Sequence, residues 1–403
     1  MKYIIILGDG MADEPIAELG NKTPLQVAHK PAIDHIAALG NNGLLCTIPQ
    51  GFAPGSEIAN MAVLGYDVPK VFEGRGSLEA ASMGIPIDDD EMAMRCNLIC
   101  IENGRIKNHS AGHISNEEAA ELIEYLSQEL GSDAIRFFPG VSYRHLLKMK
   151  GGNKHLKCTP PHDVPGTPSA DVMIQALTSE AEETANTLNE LTLKSQLLLE
   201  SHPVNLARMA AGKDPANSIW LWSPGYRPKM QTISELYGIK SGAVISAVDL
   251  IKGIGVYAGL RPVEVEGATG LYNTNYEGKA QAAIDALRTD DFVYLHIEAS
   301  DEAGHEGDVA LKVKTIEYLD SRVVKPIFEA VSQCSEPVTI AILPDHPTPC
   351  HLRTHTSAPV PFIIYRPGQQ PDSVTQYDEF AAAKGFYGTL VESETFIKTL
   401  LDQ

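Results

Sequence analysis

The chain reads as an α/β protein with a mainly parallel sheet flanked by helices, into which a smaller α+β domain is inserted. Three observations predict this. Short, continuous apolar runs recur near both ends of the chain, at residues 3–7, 292–297, 338–343 and 361–365; such runs mark strands buried on both faces. Helix-like stretches at 279–287 and 309–331 alternate with the late runs, and that alternation builds parallel sheets. The middle of the chain is different, polar and rich in helix and turn signals.

The first run, Tyr3 to Leu7, ends at Gly8 and Gly10, which force a turn. Residues 116–130 form an acidic amphipathic helix, and 178–211 form a long helix-rich segment broken near 201–204. Turn-rich stretches at 151–153, 158–168 and 223–229 interrupt this middle region. The boundaries are set at 1–85 and 235–403 for a discontinuous core and 86–234 for the insert. A chain of 403 residues is too long for one ordinary core, so two domains are the expectation.

Hydrophobic residues at 43% and charged residues at 21% fit a globular protein. The formal net charge of −20 opposes binding to nucleic acid or to an anionic membrane. An anionic substrate needs a locally positive pocket, which bound metals and a few Arg or Lys supply. Cys46, Cys96, Cys100, Cys158, Cys334 and Cys350 include no CxxC pair, so a reduced, cytoplasmic protein is expected. The N-terminal apolar stretch is too short for a signal-peptide core, and no run reaches the length of a membrane span.

The chemistry concentrates at the ends of the strands. Asp9 follows the first run, Asp301 follows 292–297 after a short link, and Asp345 and His346 follow 338–343. Ligands bind at the carboxyl ends of strands in open α/β sheets, so these groups converge on one edge. Asp301 and His305 are four residues apart and face the same way on a helical turn. His355 lies in the loop after His346. Taken singly, a strand-terminal aspartate is more often a turn former or helix cap; the joint placement points to metal sites. Mixed Asp and His donors suit Mn2+ or Zn2+ better than Ca2+. Ser56 follows the Pro54–Gly55 turn and opens a helix, where N–H groups and the helix dipole favour an anion. A plain N-cap serine occupies the same kind of position. Beside two metals, however, its hydroxyl becomes a candidate nucleophile for phosphoryl transfer.

The blocks LGDGMAD, PGSEIANMAVLGYD, GRGSLEAASMGI, SAGHIS, GAVISAVDLIKGIG, NTNYEGK, ASDEAGHEGD and PDHPTPCHLRTHTSAPVPF run in order along nearly the whole chain. In these blocks the sequence resembles the archaeal-type, cofactor-independent phosphoglycerate mutases of the alkaline phosphatase superfamily. The resemblance implies an alkaline-phosphatase-like core with an inserted lid domain, and interconversion of 2- and 3-phosphoglycerate without bisphosphoglycerate. It implies that Ser56 carries the phosphoryl group as a phosphoserine. Asp9, Asp345 and His346 would hold one divalent ion next to Ser56, and Asp301, His305 and His355 a second. Mn2+ is the first expectation, with Mg2+, Zn2+ or Co2+ as alternatives. The expected partner is a small phosphorylated carboxylic acid.

Substrate contacts are expected from His113, Arg144, Arg208 and Arg227 of the insert and from Lys279 of the core, since Arg forks match carboxylates. His109 is an alternative to His113. Oligomeric state is left open, and Cys350 has no assigned role. Two rivals keep the same metal and serine residues: transfer of phosphate to an acceptor such as homoserine, and hydrolysis of a phosphomonoester or phosphonate. A non-catalytic binding protein on an inherited fold is opposed by the survival of all seven chemical groups.

Overall fold

The computed structural model describes residues 1–402. The chain divides into two compact units, Met1–Phe72 with Lys229–Gln403, and Glu73–Pro228.

The first unit is built on an eight-stranded sheet. Its strands lie in the order Arg261–Pro262, Gly242–Ile245, Phe292–Ile297, Lys2–Gly8, Val338–Leu343, Val360–Tyr365, Asn41–Leu45 and Gly388–Leu390. Only Val360–Tyr365 runs against its neighbours; every other pairing is parallel. The central strands are apolar because both faces are covered. Ile4, Ile6, Ile340 and Ile342 pack in one cluster with Ile33, Ile36, Val323 and Ile327 from helical segments. Registers such as Leu7 with His296 and Leu7 with Leu343 align the carboxyl ends of the three central strands. Asp9, Glu298 and Asp345 therefore leave the sheet at one level.

The 309–331 stretch is helical but not one regular helix. It runs as Val309–Tyr318, a π-helical Leu319–Val324 and Lys325–Val331. Pro326 has no N–H, and its ring crowds the carbonyl four residues earlier. The widened turn just before it fits that constraint. The expected helix at 279–287 is longer, Tyr276–Thr289, and is capped by the Asn275 side chain accepting from Gly278 N–H at 2.9 Å.

The second unit is α+β, as expected. Strand Glu91–Glu102 pairs antiparallel with Arg105–Asn108, Arg144–Lys150 and Ser218–Tyr226, and Ile135–Val141 extends the sheet. Helices Asn116–Leu130 and Glu182–Leu199 contribute Leu122, Leu126, Leu188 and Leu199 to a core shared with Met94, Leu98 and Leu147 of the sheet. The acidic 116–130 helix begins where expected, with Ser115 and Glu118 capping each other's backbone N–H.

The unit boundaries differ from 85/86 and 234/235. Helix Gly76–Ser82 belongs with the insert. Ala80 packs with Ile87, Ala93 and Leu146, and Glu79 pairs with Arg95 Nε at 3.1 Å. On the return, Tyr226 N–H donates to Glu73 O at 3.1 Å, while Ile233 N–H donates to Ala258 O of the core at 2.9 Å. Nothing local in the GRGSLEA block marks its domain, and only its tertiary partners reveal the one it serves.

Gly76 lies so close to the sheet that an added Cβ would sit 2.3 Å from Ala93 O and 2.6 Å from Ser223 O. Gly76→Ala is expected to destabilise the insert by about 1–3 kcal/mol, the usual scale of overpacking, read as a lower urea midpoint for the unfolding of this unit.

Candidate active site

Asp9 follows Lys2–Gly8 directly and its N–H donates to Ile297 O at 2.9 Å. Its side chain is 1% exposed. Oδ2 accepts from His296 Nε2 at 2.9 Å, while Oδ1 is buried without a hydrogen-bond partner. The next residue must be glycine. A Cβ on Gly10, which has φ +60°, would lie 2.6 Å from both Asp301 Oδ1 and Thr348 Oγ1.

Two overlapping donor groups meet here. Asp9, Asp345 and His346 bring one ligand atom each within 4.8 Å of one another, and so do Asp301, His346 and His355. Ser56 opens the helix Ser56–Val63, and its Oγ lies 3.3 Å from His346 Nε2. His305 Nε2 is 3.2 Å from Asp301 Oδ2 and 2.9 Å from His355 Nε2. His305 Nδ1 donates to Arg353 O at 3.0 Å, which turns Nε2 toward Asp301 and His355. All seven groups expected from the sequence are thus gathered at the carboxyl edge of the sheet.

The electrostatics favour a bound cation. Burial pushes the Asp9 carboxyl well above the usual carboxylate range, and the charges of Asp345, Asp301 and Glu298 push it further. Burial likewise raises Glu298 to about 8. Asp301 goes the other way: burial acts to raise it, but hydrogen bonds from His305 and His355 hold it well below the usual range. The Asp301 hydrogen bond in turn raises His305 to about 9. Crowded, desolvated carboxylates with one orphaned oxygen are a donor set that a divalent cation satisfies. The Asp and His residues therefore fit metal ions.

A second set of residues was not legible in the motifs. Glu298 directly follows the Phe292–Ile297 strand and forms a third close donor group with Asp9 and Asp301. His296 bridges Asp9 to Ser246 Oγ, which lies 3.2 Å from its Nδ1. Thr348 Oγ1 donates to Asp301 Oδ1 at 2.5 Å. Lys312 and Asp13 form an ion pair at 2.9 Å with both side chains 0% exposed. Lys312 Nζ also donates to Ala12 O at 3.1 Å and Thr348 O at 2.7 Å. It therefore ties the loop carrying Asp9 to the loop carrying Asp345 and His346. Asp13 N–H donates to Glu379 Oε1 at 3.1 Å.

The expected substrate-binding residues divide. His113, Arg144 and Arg227 are exposed on the insert. Lys279 is fully buried in the core, where its Nζ donates to Thr269 O at 3.3 Å and burial lowers it to about 8. Arg208 has a different place from the one expected. It is 2% exposed, and its guanidinium donates to Glu118 Oε2 at 2.5 Å, Ala111 O at 2.6 Å and Asp214 O at 2.9 Å. Those bonds fasten the loop in which Ala111, Gly112 and His113 all take left-handed backbone angles, at φ 46°, 65° and 53°. Arg208 thus supports the His113 loop from inside the insert. His162 was not singled out by sequence; its ring lies 6.0 Å from that of His109 and 5.4 Å from that of Trp222.

The family model for 2,3-bisphosphoglycerate-independent phosphoglycerate mutase matches residues 37–205. The protein of that name from Methanosarcina acetivorans is 52% identical over 398 residues, covering 98% of each chain. This chain belongs to the 2,3-bisphosphoglycerate-independent phosphoglycerate mutases. A probable phosphoglycerate mutase of the same family from Geobacter sulfurreducens is 47% identical over 97% of both chains. Two solved structures share the fold of this mutase. A protein from Pyrococcus horikoshii is 31% identical with a TM-score of 0.83, covering 100% of this chain and 96% of that one. The cofactor-independent phosphoglycerate mutase of Thermoplasma acidophilum is 27% identical with a TM-score of 0.68, covering 100% and 99%. The expected fold class, an α/β core with a mainly parallel sheet flanked by helices and a smaller α+β insert, stands. No helix among the described residues is long and apolar enough to cross a membrane.

Lys312→Met leaves the Asp13 carboxylate buried without its cation. A loss of roughly 3–5 kcal/mol is expected, measured by chemical denaturation, with partial recovery in Lys312→Met/Asp13→Asn. Glu379 gives a pH signature. Burial raises its carboxyl from 4.5 to about 7, so its contribution to stability is complete below about 4.5 and is lost as pH rises through 7. Urea midpoints for Glu379→Gln are expected to gain on the wild type as pH climbs through that window and to hold a constant difference above it.

Proposed function

We propose that this chain interconverts 2-phosphoglycerate and 3-phosphoglycerate without bisphosphoglycerate, with the phosphoryl group carried on Ser56. The observation that carries this reading is Ser56 Oγ at 3.3 Å from His346 Nε2, at the head of a helix and beside the aspartate–histidine cluster. Family membership supplies the substrate class.

Asp9, Asp345 and His346 are assigned to one divalent ion with Ser56, and Asp301, His305 and His355 to a second. Mn2+ is proposed for both, since mixed carboxylate and imidazole donors suit it. When bound, such ions neutralise phosphoryl oxygens and lower the pKa of a coordinated hydroxyl. Ser56 Oγ attacks phosphorus as its hydroxyl proton is lost, the bond to the glycerate oxygen breaks and that oxygen takes up a proton, and the phosphoryl group rests on the serine. The first-turn N–H groups of Ser56–Val63 and the positive end of that helix favour the resulting dianion. The other hydroxyl of the glycerate then attacks phosphorus and gives up its proton, the Oγ–P bond breaks, and Ser56 regains its hydroxyl proton.

During that exchange the glycerate must stay bound and water must be kept from the phosphoserine. His113, Arg144 and Arg227 of the insert and Lys279 of the core are assigned to the substrate's carboxylate and phosphate. Arg208 is not among them, because it is buried and its guanidinium is held by three hydrogen bonds inside the insert.

The deciding assay is conversion of 3-phosphoglycerate to the 2-isomer by protein with Mn2+ and no bisphosphoglycerate, with Mg2+, Zn2+ and Co2+ compared in parallel. Phosphorylation of homoserine without isomerisation, or net phosphate release, would replace the proposed reaction. Ser56→Ala is expected to lower kcat on the order of ten-thousand-fold or more while keeping the wild-type melting temperature. Chelation is expected to silence the wild type, with activity returning when Mn2+ is added back.

A further inference from the structure

We infer that Asn60, oriented by Tyr294, is a positioning residue that fixes Asp345 against the Ser56 segment. Asn60 lies one turn beyond Ser56 on the same helix and is 0% exposed. Its Nδ2 donates one hydrogen to Ser56 O and the other to Asp345 Oδ2, both at 2.9 Å. Its Oδ1 accepts the Tyr294 hydroxyl at 2.6 Å. Tyr294 sits mid-strand in Phe292–Ile297 and is 1% exposed.

These partners leave the amide one orientation. Ser56 O and the Asp345 carboxylate only accept, so a flipped amide would set its oxygen against both. The Tyr294 hydroxyl, able to donate, holds the oxygen on the other side. Every hydrogen-bonding atom of the Asn60 side chain is then satisfied, and a single nitrogen joins the nucleophile's residue to a carboxylate of the cluster.

Asp345 shows why that link matters. Its Oδ1 accepts from Gly10 N–H at 3.2 Å and His346 N–H at 2.9 Å. Its Oδ2 is the oxygen that faces His346 Nε2, at 3.4 Å. Asn60 supplies the hydrogen bond that sets the direction of Oδ2. Partners of this kind orient ligating carboxylates and tune their affinity for an ion.

The inference rests on the metal-assisted reading of the site. Its main readout, Mn2+ affinity by titration calorimetry, needs no substrate, so it fails separately from the assignment of the reaction. Asn60→Ala is expected to weaken Mn2+ binding or lower kcat by roughly 10–100-fold. Tyr294→Phe, which removes one oxygen, is expected to cost about 2- to 10-fold, the scale of one neutral hydrogen bond. Because the phenol acts through the amide, the double variant is expected to match Asn60→Ala alone. Wild-type Mn2+ affinity and kcat in either single variant would overturn the positioning role, and losses that simply multiply in the double variant would overturn the relay. Should Asn60→Ala not fold, Tyr294→Phe decides the matter alone. A role in stability only would lower the melting temperature of the metal-free protein and leave Mn2+ affinity untouched.

Discussion

The central constraint on this molecule is the burial of like charges. Asp9, Asp345 and Asp301 are 1%, 0% and 5% exposed, and they share one end of the sheet. Carboxylates in such a place repel one another and lose hydration, so each needs hydrogen-bond donors or a cation. Asp345 has Gly10 N–H, His346 N–H and Asn60; Asp301 has Thr348, His305 and His355. Asp9 has His296 on one oxygen and no hydrogen bond on the other, which His346 Nε2 approaches only to 3.8 Å. The protein therefore satisfies this edge almost completely with its own donors and leaves the remainder, one orphaned oxygen and a net excess of negative charge, to be met by metal ions.

Holding such a group together requires rigid loops, and the rigidity comes from beneath. Lys312 is placed by a helix that follows the Asp301–His305 helix, and its ammonium grips Ala12, Asp13 and Thr348. Three segments that carry cluster residues are thereby referred to one buried charge. A buried ion pair is seldom a source of net stability; here its three oxygen partners lie on two different loops, so it also fixes their spacing. Glycine at position 10 serves the same end from above, allowing the first loop to approach Asp301 and Thr348 without a side chain in between.

The sequence made the cluster legible because strand-terminal Asp and His residues leave a local trace: an apolar run, then a chemical group. Asp9, Asp345 and His346 could be placed on one edge from that trace alone. The supporting residues leave none. Lys312 reads as one more polar position on a helix, Asn60 as a helix-interior amide, and Glu298 as a strand end before the more conspicuous DEAGH. Each gains meaning only from a partner hundreds of residues away in most cases, as with Asn60 and Asp345. The insert boundary was missed for the same reason, since Gly76–Ser82 is assigned to a unit by its packing on Ala93 and Leu146, not by its composition. Arg208 shows the converse error. An arginine on a polar helix suggests a ligand for anions, yet its face of that helix is the buried one, and its fork is spent on Glu118 and two carbonyls.

These placements bear on how an anionic substrate is received. The chain carries a formal charge of −20, and four of the carboxylates counted in it, Asp9, Asp345, Asp301 and Glu298, stand at close range. An ionised carboxylate of that set repels an anionic substrate, and a cation bound there offsets the repulsion. The buried Lys279 lies near the same groups: burial lowers it to about 8, and the charge of Glu298 opposes that shift.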